Sequence, residues 1–204
     1  NVDIVNGKQS RWDIPVSTTI VYASRTHSQL QQVVSELKSS VYAEDVKLSI
    51  LGSRDQLCSN KKIRSKNSGT ALTNACNLIT LHHKCPHKNK FDSKHKNADG
   101  ASTWLGGLED SFMKSSIGKN PVMDVEELVS LGEREEVCSF FHSRAATKTA
   151  DLILMPYNYL FNRRNQRALS IGWNNAVVVI DEAHNIESAA CESLSKTFSS
   201  ADIG

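Results

Sequence analysis

Val177-Val178-Val179-Ile180-Asp181-Glu182-Ala183-His184 decides the fold. Four β-branched apolar residues in a row suit a strand covered on both faces, as in a parallel sheet. Two carboxylates follow at its carboxyl end, where open α/β sheets bind ligands. Asp181 can hold Mg²⁺, because hard cations take oxygen ligands. Glu182 can position and deprotonate an attacking water. Ala183 keeps the following turn compact, and His184 can pass the state of a bound nucleotide to its neighbours. A solvated acidic helix N-terminus, favoured by the helix dipole, is the bland alternative. A helix over about 183–194 is expected next.

Working outward, Asp151–Met155 is another mainly apolar run, stopped by Pro156, with a helical turn over Tyr157–Phe161. Near the start, Val16–Tyr22 is a β-branched run bounded by Pro15. Ala23-Ser24-Arg25-Thr26 then leads into a helix over His27–Leu37, whose Leu30, Val33, Val34 and Leu37 form one apolar stripe. Val46–Leu51 alternates as a half-buried strand ended by Gly52. These elements predict an α/β fold with a parallel sheet. From about 60 to 120 the chain is rich in Lys, Asn, Ser and His, and 87–99 reads as a solvated loop. Asp124 can cap a helix over Val125–Leu131 ended by Gly132.

The length, 204 residues, suits one domain, or one domain with a smaller one inserted. A hydrophobic share of 39% supports a core. The net charge of +2 is too small to argue for nucleic acid, so any such contact needs local patches. No apolar run approaches the roughly 20 residues of a membrane span, so no membrane partner is expected. The start lacks a signal-peptide pattern, and its first residue, Asn1, suits an internal fragment. With an odd cysteine count, this favours a reducing compartment, where spaced cysteines bind metal more often than they form disulfides.

Cys58, Cys76, Cys85 and Cys138 are spaced C-x17-C-x8-C-x52-C. Without a C-x2-C knuckle a zinc ribbon fits poorly. Either the four converge on one [4Fe–4S] cluster or they are buried free thiols. Cys191 reads as a packing residue. Ser24, Arg25, Thr26 and Ser28 at a strand end before a helix N-terminus make a phosphate site, with helix capping by Thr26 or Ser28 as the simpler use. Lys61, Lys62, Arg64, Lys66, Lys84, Lys88, Lys90, Lys94 and Lys96 supply sequence-independent phosphate attraction, or merely solvate a polar loop. The phosphate-cradling G-x-x-x-x-G-K-[ST] loop occurs nowhere; Gly106-Gly107 and Gly118-Lys119 lack the required continuation.

Residues 178–185 resemble the Walker B or DEAH box of superfamily 2 helicases. Ala23–Gln29 resembles motif Ia of one branch, the iron–sulfur helicases related to the xeroderma pigmentosum group D protein. Met155–Leu160, Leu51–Cys58 and Asp124–Gly132 are similar to further stretches of that branch, so the resemblance covers nearly all the chain except about 87–120. It implies a partial RecA-like motor domain, residues 1–57 and 139–204, with an inserted iron–sulfur domain over 58–138. The phosphate loop would lie before Asn1 and the second motor domain after Gly204. It also implies ligation of a 4Fe-4S cluster by Cys58, Cys76, Cys85 and Cys138, ATP with magnesium at Asp181 and Glu182, nucleotide-state coupling through His184, and DNA contact by Arg25, Thr26 and Ser28. The expected partners are ATP and single-stranded or forked DNA; protein partners are not indicated. The intact protein would be a nuclear, ATP-dependent 5′–3′ DNA helicase of genome maintenance, the fragment alone being inactive. The competing readings are a cluster-containing DNA-binding module with a vestigial ATPase and a DEAH-type RNA helicase. Two departures stand out: Cys138 is followed by Ser139-Phe140-Phe141 where the branch has Pro and two Tyr, and the gap from Cys85 to Cys138 is long.

Overall fold

The computed structural model describes residues 18–96, 122–167, 169 and 171–195. Val16, Ser17, residues 97–99, Gly106-Gly107 and Gly118-Lys119 lie outside the described residues. A four-stranded parallel sheet has the order β2-β3-β1-β4, from β1 (Thr19–Ser24), β2 (Leu48–Ile50), β3 (Leu152–Pro156) and β4 (Ala176–Ile180). α1 (His27–Ser39) crosses from β1 to β2. Thr26 caps it: its hydroxyl accepts from the Gln29 amide while the Gln29 side chain accepts from the Thr26 amide.

Between β2 and β3 run α2 (Arg54–Leu57), α3 (Lys61–Arg64), α4 (Gly69–Leu81), α5 (Pro86–Lys96), α6 (Val125–Arg134) and α7 (Ser139–Ala146). α8 (Asn158–Phe161) and α9 (Arg163–Arg167) follow β3, and α10 (Ile186–Leu194) follows β4 after a 3₁₀ turn over Ala183–Asn185. Strand alternation divides the core. Leu154 joins Leu30 and Val34 of α1 with Leu57, Val125, Leu128 and Phe140 on one face. Ile153 and Met155 join Val21, Ala23, Tyr157, Tyr159 and Ile171 on the other. Fully burying one of the Val, Leu, Ile, Met or Phe side chains among these contributes about 1.5–3 kcal/mol.

Four expectations need correction. The stretch taken for a solvated loop carries α5 as far as Lys96. Pro86 is favourable at a first helical position, Lys88 pairs with Asp92 one turn on, and the Phe91 ring lies 6.4 Å from that of Phe141. With one apolar anchor, this helix has no periodicity to read. Gly132 does not end its helix, which continues to Arg134; the left-handed backbone falls at Glu136, φ 51°. β4 is not covered on both faces: it pairs only with β1 among the described strands, and Val177, Val178 and Val179 stay 40–42% exposed. Cys191 is exposed rather than packed.

Candidate nucleotide, DNA and cluster sites

Parallel pairing sets Ala23 of β1 opposite Ile180 of β4, so both strands end at the same edge. The Asp181 amide donates to the Ala23 carbonyl at 2.9 Å, carrying the ladder one residue past β4. Asp181 and Glu182 are thus placed beside Ser24 and Arg25. Ser24, fully buried, donates through Oγ to Gln29 Oε1 at 2.7 Å and to Asp181 Oδ2 at 3.3 Å.

Glu182 has a left-handed backbone, φ 45° and ψ 52°. For a non-glycine residue this costs about 1–3 kcal/mol and persists only where the surroundings enforce it. The Tyr157 hydroxyl donates to the Asp181 carbonyl and, at 3.2 Å, to the Glu182 carbonyl. The Asn185 amide donates to that Glu182 carbonyl at 3.0 Å. Tyr157 and Tyr22 feel the acidic pair in return. Burial, then the Asp181 charge, pushes both phenols above their ordinary pKa, and a hydrogen bond to Asp181 adds to the rise at Tyr22. Neither tyrosine stands out in the sequence, although Tyr157 directly follows β3 and Tyr22 lies two residues before the end of β1. His184 is exposed, its Nε2 3.0 Å from Asn185 Nδ2.

Arg25, Thr26 and Ser28 are exposed at the mouth of α1. The Thr26 hydroxyl serves as the cap, and Arg25 Nη1 donates to Asn185 Oδ1 at 3.1 Å. Of the basic residues between β2 and β3, several have acidic partners: Lys61 and Arg64 meet Glu133 at 2.9 and 3.0 Å, and Lys90 meets Glu136 at 4.0 Å. These three cations share two carboxylates, which offsets part of the local charge.

The cysteines converge. Cys58, Cys76, Cys85 and Cys138 are all buried, and none is in a disulfide. Burial pushes the Cys138 thiol up to about 12; the Phe141 amide opposes this, and the nearby Cys85, Cys58 and Cys76 add to it. Burial raises the Cys58 thiol too, with the Asn60 backbone opposing and Cys76 and Cys85 reinforcing. Asn60 Nδ2 points at Cys85 Sγ, 3.7 Å away. The Cys58 carbonyl accepts from Arg64 Nη1 at 3.1 Å, and the Cys138 amide donates to the His87 carbonyl at 3.1 Å. Among the described residues no three of His, Cys, Asp and Glu close around a single metal ion. A cubane core, with one thiolate on each of its four irons, needs wider spacing than one ion does. Cys138 feels the charges of Cys85, Cys58 and Cys76, so the four sulfurs lie within electrostatic reach of one another, a donor set of the kind a four-thiolate cluster takes.

Arg54 and Arg144 are the other residues underrated by sequence. Their guanidinium carbons lie 4.4 and 4.5 Å from the Phe140 ring centre, and Arg144 lies 5.6 Å from that of Tyr159. Tyr159 Oη donates to the Gly52 carbonyl at 2.7 Å. Rings and cations therefore pin the segments flanking Cys58 and Cys138 to the end of β3. An arginine before the first cysteine and an aromatic pair after the last were the available signal.

With this geometry in hand, the family model DEAD_2 matches residues 22–203. The chain belongs to the DEAD_2 family. It is 42% identical over 179 residues to the regulator of telomere elongation helicase 1 homolog of Arabidopsis thaliana, covering 87% of this chain and 15% of that protein. With the Drosophila virilis homolog it shares 36% over 203 residues, covering 100% of this chain and 18% of the relative. The chain therefore spans under a fifth of these relatives' length. An XPD helicase structure superposes with a TM-score of 0.51 at 18% identity, covering 85% of this chain and 26% of the other. A truncated XPD gives 0.51 at 19% identity, covering 85% and 43%. These structures share the fold.

Proposed function

We propose that this chain is the catalytic-carboxylate half of the first motor domain of an ATP-dependent 5′–3′ DNA helicase acting in genome maintenance in the nucleus. The observation that carries the reading is the Asp181–Glu182 pair at the sheet edge, abutting the Ser24–Arg25 strand end, in one body with four buried cysteines. Asp181 would hold Mg²⁺ and Glu182 would orient and deprotonate water, with His184 coupling nucleotide state to neighbouring segments. Arg25, Thr26, Ser28 and the first turn of α1 would grip the backbone of single-stranded or forked DNA. Residues 58–138 would form the inserted domain, its 4Fe-4S cluster held by Cys58, Cys76, Cys85 and Cys138. A bound cluster supplies a cross-link among four chain segments. The phosphate loop and second motor domain would come from the rest of the protein.

The test uses the full-length protein. ATP turnover should rise with single-stranded DNA, and Glu182→Gln should lower it by about 10²–10⁴-fold, the usual worth of a general base. Turnover unaffected by Glu182→Gln, or stimulated only by RNA in a colourless protein, would overturn the proposal.

A further inference from the structure

Arg25, Asn185 and Glu182 form a hydrogen-bond chain across the two strand ends. Arg25 Nη1 donates to Asn185 Oδ1 at 3.1 Å, and Asn185 Nδ2 donates to Glu182 Oε2 at 3.3 Å. The chemistry fixes the direction: a guanidinium only donates, a carboxylate only accepts, and an amide between them must turn its oxygen to one and its nitrogen to the other. Asparagine at a helix start ordinarily caps the helix with its side chain. Asn185 precedes α10 and makes no such side-chain cap bond. Its side-chain oxygen accepts instead from Arg25, which lies 160 positions away in sequence, while Nδ2, besides Glu182 Oε2, lies 3.0 Å from His184 Nε2 and 3.4 Å from the Glu182 carbonyl. The bond to Asn185 takes one of the five N–H donors of Arg25, leaving the rest for a phosphate.

We propose that Asn185 is a positioning residue that couples phosphate contact at Arg25 to the placement of the Glu182 carboxylate. This rests on the helicase reading above. Arg25, Glu182 and His184 are exposed, and exposed side chains have several staggered rotamers open to them. A phosphate that orders Arg25 fixes the Asn185 oxygen. The amide nitrogen then holds the carboxylate of a residue whose backbone is already constrained in the left-handed region. The link gives a bound DNA strand a route to stimulate turnover.

The experiment measures, in the full-length protein, the ratio of ATP turnover at saturating single-stranded DNA to turnover without DNA. Asn185→Ala should lower that ratio roughly fivefold, a modest value for an exposed bond to a charged group. Asn185→Asp keeps the acceptor for Arg25 but loses the donor to Glu182, and should behave like the alanine variant. Arg25→Lys keeps a charge for the phosphate, and the ratio is read at DNA concentrations that saturate the variant. Its single ammonium lacks the fork that serves two partners at fixed geometry, so the ratio should still fall. Arg25→Ala combined with Asn185→Ala should lower the ratio no further than the worse single variant, because the two act in one chain. Wild-type ratios in Asn185→Ala and Arg25→Lys, or effects that multiply in the double variant, overturn the inference. If those results come with intact DNA stimulation of the wild type and loss in Glu182→Gln, the helicase reading survives. If Glu182→Gln itself changes nothing, both fall.

Discussion

Replacing Gly132 with alanine tests the packing that holds the first and last cysteine segments together. α6 passes through Gly132 with ordinary backbone; among the described glycines only Gly69 has positive φ. A Cβ at position 132 would overlap Ser139 Oγ, and it would lie 2.8 Å from the Val137 carbonyl oxygen and 3.0 Å from Ser59 Cβ. None of these can retreat cheaply. Ser59 Oγ donates to that Val137 oxygen at 2.7 Å, Ser139 Oγ donates to the Leu128 carbonyl at 2.9 Å, and both serines are 1% exposed. Helix propensity favours alanine by about 1 kcal/mol. Overpacking costs about 1–3 kcal/mol, and breaking the buried Ser139 bond about as much again. The net is a loss of about 3 kcal/mol, within the combined range of those terms. At about 2–4 °C per kcal/mol for a chain of this size, Tm should fall by roughly 6–12 °C in a thermal melt followed by circular dichroism.

Ser139→Ala separates this packing account from one based on backbone conformation. A left-handed Gly132 terminating the helix would make alanine costly through φ alone, and nothing done at residue 139 would help. In the structure the tightest overlap is with Ser139 Oγ, so Gly132→Ala with Ser139→Ala should recover part of the lost Tm. A Tm for Gly132→Ala within about 2 °C of wild type would refute the packing argument; absence of rescue by Ser139→Ala would refute its geometry.

Tyr159→Phe keeps the ring beside Arg144 but removes the buried bond to Gly52, a loss of about 1–3 kcal/mol read as a lower Tm. Cys76→Ser, assayed for iron and sulfide after anaerobic purification, should lower iron content, and an unchanged content would remove Cys76 from the ligand set. Asp124 should give a specific acid sensitivity. Burial raises its carboxyl, but the Glu127 amide and the Lys38 ammonium outweigh it, leaving the group below its ordinary value of 3.8. The folded state therefore binds that proton more weakly than the unfolded chain. The resulting stability is present above pH 3.8 and lost as pH falls through the lower, folded-state value. Asp124→Asn keeps the cap and should flatten this part of the profile, as a pH series of melting temperatures would show.

Sequence exposed the parts of the fold that repeat a pattern. The stripe Leu30, Val33, Val34, Leu37 and the run Asp151–Met155 were legible because burial on one face or two leaves a periodic or continuous apolar signal. α5 was not, because Lys88–Asp92 pairing and one ring contact hold it without a stripe. The continuous valines of β4 suggested cover on both faces, yet an apolar strand carries no record of which element covers it, and among the described residues little does. At the site, chemistry-bearing residues next to strand ends were visible: Asp181, Glu182 and Arg25. Tyr22, Tyr157 and Asn185 were not singled out, because their roles come from the alignment of two parallel strands 157 residues apart, a relation no local window contains.

α1 makes the two ends of this molecule mechanically inseparable. Its first turn adjoins Arg25 and the acidic edge, while Leu30 and Val34 share one core with Leu57, Val125, Cys138 and Phe140. Two rim contacts extend the seam: Gln31 Nε2 donates to Glu126 at 2.6 Å, and Lys38 pairs with Glu127 at 2.5 Å. Exposed pairs of this kind contribute at most about 1 kcal/mol each, so they set register more than strength. The apolar seam decides the coupling. A helix of 13 residues is a stiff rod about 20 Å long, and a close-packed core cannot absorb its displacement. α1 therefore ties the Arg25 strand end to α6 and to the segments that carry Cys58 and Cys138.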